Sequence, residues 1–317
     1  MRANGKLAVL RSVKFLDRAT LDLLYKITIR SVIEYGMIIF YHNLTQCQKK
    51  RLSQVQYRAA KLVTGALHFT SQVKLEKDLS WESLERRANF LGLCVFHKIA
   101  IGETRPLIRK CMPAGQSKFV NTRSVRAFCE FKFVNMGFSN SFFPFFTKLY
   151  NTLDPEIQKM MNMVDFKERL KKDYKDKKNK HFSRGISKWS NSLHSQLRLN
   201  QSYLNAHGFA INLKDSDLCL CSRSETTSHF FLSCFLYQEE RKVMFSSIAR
   251  YLPRFESFSN MKKLDIILSG FNLQNPEPDP RNISVVFVVQ KFILSTKRFL
   301  PPTPTPPTPP PIIPIMP

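Results

Sequence analysis

Three thiols and an imidazole fall within sixteen residues of this chain, at Cys219, Cys221, His229 and Cys234. Thiolates and imidazole are the ligands of a closed tetrahedral zinc site, which leaves no position for water. Magnesium and calcium prefer oxygen donors and a catalytic zinc keeps one position open, so the cofactor predicted here is a structural zinc. One residue separates Cys219 from Cys221 where two to four is usual. Either the backbone turns sharply at Leu220 or one of the two cysteines is not a ligand. The alternative for the whole group is buried thiols beside a helix-surface histidine, because free cysteine packs as a small hydrophobe. The polar turn 222–224 lets the chain double back, and 225–232 reads as the start of a helix that presents His229.

No other grouping promises chemistry. The chain has no Asp-Asp pair to hold the two cations of a polymerase. Asp215 and Asp217 come nearest, in a segment that reads as a turn. A glycine-rich phosphate loop, a His-Glu-x-x-His pair and a Gly-x-Ser-x-Gly elbow are all missing from the sequence. His42, His68, His97, His181, His194 and His207 have no consistent cysteine or carboxylate neighbour. The chain reads as a binding protein without catalytic residues and without a small-molecule substrate.

Among its 317 residues, 49 Lys and Arg face 24 Asp and Glu, a formal net charge of +25. Such an excess predicts a polyanionic partner, RNA and/or DNA, rather than a membrane surface. Cys47, Cys94, Cys111 and Cys129 follow no disulfide pattern, which places the chain in a reducing compartment, nucleus or cytoplasm. Apolar runs such as 37–40 and 285–289 are too short to span a bilayer.

The elements that must carry these residues are mainly α. A basic segment, 1–15, precedes a helical domain over 16–110. Its helices are predicted at 19–41, at 47–64 ending on Gly65, and from a cap at Ser80 with Ser83 and Glu82 nearby. A linker region follows over 111–182. It holds a β-hairpin at 121–140, where Phe128, Phe131, Phe133 and Val134 alternate with polar residues before Gly137 and Asn140. The four phenylalanines around Pro144 read as core rather than as a stacking surface. A very basic helix spans 164–180. The third region, 183–299, is a helical domain around the zinc module, with helices at 183–206, 236–250, 255–270 and 281–299. Residues 300–317 are a Pro-rich tail, disordered or polyproline II, and a possible ligand of an SH3-type partner. The side chains assigned to phosphate contact are Lys49, Lys50, Arg58 and Lys61 on the 47–64 helix, Lys167, Arg169, Lys171 and Lys172 on the basic helix, and Arg198 and Arg241 beside the zinc module.

Several stretches together resemble the post-palm region of the reverse transcriptases of LINE-type (non-LTR) retrotransposons. Ile29-Arg-Ser-Val-Ile-Glu-Tyr-Gly36 is similar to the family's Pro-x-Leu/Ile-Glu-Tyr-Gly, with Ser31 in place of the proline. Gln54-Val-Gln-Tyr-Arg-Ala-Ala-Lys61, Leu84-Glu-Arg-Arg87, Ser141-Phe-Phe-Pro144, the Leu149–Pro155 stretch and Ser192-Leu-His-Ser-Gln-Leu-Arg198 resemble motifs that follow in the same order. Cys219-x-Cys221, Glu225-Thr226, His229-Phe230, Cys234, Tyr237 and Arg241 resemble its Cys-Cys-His-Cys module, in which a single residue between the first two cysteines is common. The resemblance covers roughly 16–299. It implies a thumb-like helical domain, a linker and a zinc module that together grip nucleic acid, as a C-terminal fragment of an RNA-directed DNA polymerase without its palm and without activity of its own. A misplaced reading-frame start would give the same sequence. A reading from another class is a cellular interaction scaffold with a structural zinc and an SH3-binding tail.

Overall fold

The computed structural model describes residues 2–113, 128–132, 135–174, 185–272 and 279–299. The Pro-rich tail, the first part of the expected hairpin with its Phe133 and Val134, the basic run beyond Tyr174 and the side chain of Lys172 lie outside them. The described residues are mainly helical and contain no β-strand. None of their helices is long and apolar enough to cross a membrane. The chain divides into two compact units, Met1–Arg184 with Asn272–Asp279 and Gly185–Phe271 with Pro280–Pro317.

In the first unit the predicted 19–41 helix is broken twice. Arg18–Leu24 starts on the Asp17 carboxylate, widens into a π-helical turn over Tyr25–Arg30, resumes as Ser31–Glu34 and stops at Gly36, whose left-handed φ of +70° opens Met37–Phe40. Leu21, Tyr25, Ile29, Ile33 and Met37 are the buried face. Steps of four residues drift by about 40° each around an ideal α-helix, and the wider π turn absorbs that drift. Leu23, Ile27 and Ile39, which the helical spacing assigns to the core, are exposed instead.

Gln46–Thr64 begins with a Thr45–Gln48 capping box and ends on Gly65 at φ +67°, where a residue without Cβ fits best. The cap expected at Ser80 is displaced. Ser80 closes an unforeseen helix, Gln72–Leu79, in the left-handed conformation, and Ser83 caps Leu84–Ala100 by accepting from the Arg86 N–H. A polar network ties these helices together. Tyr25 stacks on Trp81 with ring centres 3.9 Å apart and donates to Gln56 Oε1 at 2.8 Å. Arg87 donates from Nε and Nη2 to the two oxygens of Glu34, at 2.6 and 3.0 Å.

Leu84–Ala100 also shares a core with Phe142–Asn151 and Met163–Tyr174, so the regions divided in sequence at 110/111 are one body. Gly92 makes room for the Phe146 ring, since a Cβ there would stand 1.9 Å from it. Aromatic residues around Pro144 therefore sit in or against the core. The expected hairpin does not form among the described residues. Met136–Ser139 is a short helix capped by Asn135, placing Gly137 in a helical turn. Phe128 finds a side-chain amide in place of a partner strand: its N–H donates to Asn151 Oδ1 and its carbonyl accepts from Asn151 Nδ2, at 3.1 and 2.9 Å. Edge-on packing of its ring against Phe96 favours this over an extended pair.

The second unit packs Lys188–Arg198, Gln238–Ala249, Asn260–Ser269 and Arg281–Ser295 around Leu193, Leu197, Phe230, Phe231, Met244 and Val289. Each helix is shorter than its predicted span. Buried polar side chains fix the joints. Gln290 Oε1 accepts from the Ile186 N–H at 2.8 Å and from Ser190 Oγ at 3.0 Å, while Asn282 bonds both backbone groups of Phe271.

Candidate metal centre

The ligand atoms of Cys219, Cys221, His229 and Cys234 all lie within 4.8 Å of one another and could hold a metal ion. Cys219 and Cys221 leave a loop folded back on itself. The Cys219 N–H donates to the Arg223 carbonyl at 2.7 Å, the Ser222 N–H to the Cys219 carbonyl at 2.9 Å, and Leu218 pairs with Ser224 in an isolated antiparallel bridge. The sharp turn does fall at Leu220: the Ser222 N–H bond to the Cys219 carbonyl closes a turn with Leu220 and Cys221 at its centre, and Ser222 follows in the left-handed region at φ +62°. Leu220 projects outward at 94% exposure, and its two neighbours turn inward. The one-residue spacing is thus compatible with both cysteines being ligands.

The expected helix over 225–232 is instead a π-helical turn, His229–Ser233, entered where the Thr226 hydroxyl accepts from the His229 N–H at 3.1 Å. That turn aims His229 Nε2 at Cys221 Sγ, 3.0 Å away. His229 Nδ1 lies 3.3 Å from Ser233 Oγ, the kind of outer contact that orients a ligating imidazole. The turn ends on Cys234, whose N–H donates to the His229 carbonyl at 2.8 Å. Cys234 Sγ stands 3.7 Å from Cys219 Sγ and 3.9 Å from Cys221 Sγ, far beyond the ~2.05 Å of a disulfide.

Burial, together with the neighbouring sulfurs, pushes the Cys234 thiol up to about 12 and raises Cys219. Desolvation also acts against the Cys221 thiolate, but hydrogen bonds from the Arg223 backbone and the other two thiols outweigh it and lower its pKa. Desolvation, followed by the charge of Arg223, depresses His229. Three thiolates this close repel one another unless a cation lies among them, and a coordinating cation deprotonates its thiols outright.

Two straps hold the module to its unit. Glu225, nearly inaccessible, accepts from Arg298 Nε at 2.6 Å and Nη2 at 2.7 Å, and from the Asn205 N–H at 2.7 Å. Asn205 Nδ2 in turn donates to the Leu218 carbonyl. Tyr237 packs edge-on against Phe230, which sits among Phe231, Phe292 and Phe299. Sequence reasoning missed Ser233 and Arg298. The first is adjacent to a ligand and could have been suspected; nothing local marks the second.

The residues assigned to phosphate contact are not gathered in one place. Lys50 and Arg58 are exposed two turns apart on Gln46–Thr64. Lys49 lies over the Tyr41 ring at 5.3 Å and Lys61 over the Tyr57 ring at 4.4 Å. Lys167, Arg169 and Lys171 are exposed on Met163–Tyr174. Arg198 is half-buried and donates to Ser195 Oγ at 3.2 Å. Arg241 is buried: it turns inward and donates from Nη2 to the Cys234 carbonyl at 2.6 Å, so its contact is with the metal module. No family model, curated protein or solved structure matches this chain.

Proposed function

We propose that the four-residue cluster holds a structural zinc and that the chain is the nucleic-acid-binding region which follows the palm in a LINE-type RNA-directed DNA polymerase. The sulfur spacing carries the metal reading. A tetrahedral zinc with bonds of about 2.3 Å to sulfur needs sulfurs about 3.8 Å apart, and Cys234 Sγ lies 3.7 and 3.9 Å from the other two. Cys219, Cys221, Cys234 and His229 Nε2 would be the ligands, with Ser233 orienting the ring. A zinc so enclosed cross-links the loop and leaves no position for a substrate. Exposed cations on Gln46–Thr64 and Met163–Tyr174, and the formal charge of +25, support a polyanionic partner.

The test uses the purified full chain, in nucleus-like or cytoplasm-like reducing buffer. Metal analysis is expected to find one zinc per chain. Affinity for a single-stranded RNA, read by fluorescence anisotropy, is expected to fall linearly on a log–log plot as salt rises. Absence of bound zinc removes the metal reading, and a salt-independent affinity removes the nucleic-acid reading.

A further inference from the structure

Arg241 poses a problem that its local bonds do not solve. Its side chain is buried at 9% exposure, one of its terminal nitrogens is spent on the Cys234 carbonyl, and the other, Nη1, is enclosed with no acceptor. No carboxylate makes an ion pair with it, and Glu240, the nearest acidic group along the helix, is half-buried and acts only through space. A guanidinium taken out of water without an anion is strongly disfavoured, and an enclosed N–H without an acceptor adds to that penalty. Some nearby group must therefore supply negative charge when the protein is in its working state.

The ligand set provides it. Three thiolates and a neutral imidazole on a divalent cation leave one net negative charge on the cluster. Cys234 donates a thiolate to that cluster, and its own carbonyl already holds Arg241. We infer that Arg241 is the fixed counter-charge of the metal-loaded cluster, a positioning residue that favours three-thiolate coordination and offsets the cluster's one net negative charge. The inference rests on the zinc reading. It also gives a reason why an anionic polymer could approach a site built from three thiolates.

The test compares zinc affinity of the full chain and its variants, by competition with a chromophoric chelator, and reads coordination from the cobalt(II) absorption spectrum. Arg241→Gln keeps an N–H donor for the Cys234 carbonyl but removes the charge. It is expected to bind zinc roughly 10–100-fold more weakly, the range seen when an outer partner of a metal site is lost, whereas Arg241→Lys restores most of the affinity. Cys221→His makes the loaded cluster neutral, and in that background Arg241→Gln is expected to cost little. Equal zinc affinity of wild type and Arg241→Gln overturns the inference and leaves the zinc reading standing, as does equal loss in Arg241→Gln and Arg241→Lys. A wild-type chain that binds no zinc overturns both. Should Cys221→His fail to fold, the Gln and Lys variants decide alone.

Discussion

Cys94 and His97 stand one helical turn apart on Leu84–Ala100, both buried, and Cys221 and His229 meet across a loop in the metal module. The residue types are the same, but the surroundings of their donor atoms differ. His97 Nδ1 lies 2.8 Å from the Tyr150 hydroxyl, Nε2 lies 2.8 Å from the Met160 carbonyl, and the ring stacks on Phe166 at 3.7 Å. Burial pushes the Cys94 thiol up to about 11. Every donor atom of that imidazole is taken by the protein itself, so it can only brace a core. In the metal module the donor atoms of four residues face one another. Whether a buried histidine is a ligand depends on what its nitrogens meet, which residue type alone does not reveal.

The largest test of this contrast removes one sulfur from each region. Cys234→Ser is expected to lose stoichiometric zinc and to destabilise the second unit by on the order of 5 kcal/mol or more. Cys94→Ala should retain zinc and cost about 1–2 kcal/mol. Metal analysis with calorimetry separates the two, and zinc loss from Cys94→Ala would break the comparison. Next comes Glu225→Ala, which strands the Arg298 guanidinium and is expected to cost about 3–4 kcal/mol in urea unfolding. His97→Phe strips the Met160 carbonyl of its imidazole partner and the Tyr150 hydroxyl of one of its two, the Gln158 carbonyl at 3.1 Å remaining, for roughly 2–3 kcal/mol, and zinc content should not change.

The smallest effect concerns a third histidine. His42 is buried against Phe145, its Nε2 has no partner, and desolvation, aided by Lys49, lowers its pKa from 6.5 to about 4. Between those values the unfolded chain binds more protons than the folded one, so stability falls as pH drops through that window. The expected loss is about 2 kcal/mol between pH 7 and pH 4.5. His42→Phe should remove this share of the pH dependence, and an unchanged slope in urea titrations at pH 7 and pH 4.5 would count against it.

Much of this molecule was legible from residue types. The helices of the first unit begin and end near the predicted limits wherever a cap is local, as at Thr45 and Gly65. The four-residue cluster was legible because few other reasons gather three thiols and an imidazole so closely. Failures came where one signal served two structures. Arg18–Phe40 is apolar on two faces, so periodicity could not tell buried Tyr25 from exposed Ile27. Ser80 and Ser83 are both capping types, and only the backbone shows that one ends a helix and the other begins the next. Phe128 packs on the rings of Phe96 and Tyr150, and Phe131 edge-on against Phe138, so neither required a strand partner. Arg241 was grouped with the surface cations because a sequence records its charge but not its direction.

The pairing of Glu225 with Arg298 bears on the order in which the second unit is assembled as the chain is made. The four residues of the cluster and their loop bonds all lie within residues 217–234, so the sulfurs can gather while everything after Cys234 is still unsynthesised. Arg298 emerges later by several seconds at about 5–20 residues per second. Under the zinc reading, a nascent chain would take up the metal first and have the module locked afterwards, when Arg298, just past the last helix, meets the waiting Glu225 carboxylate.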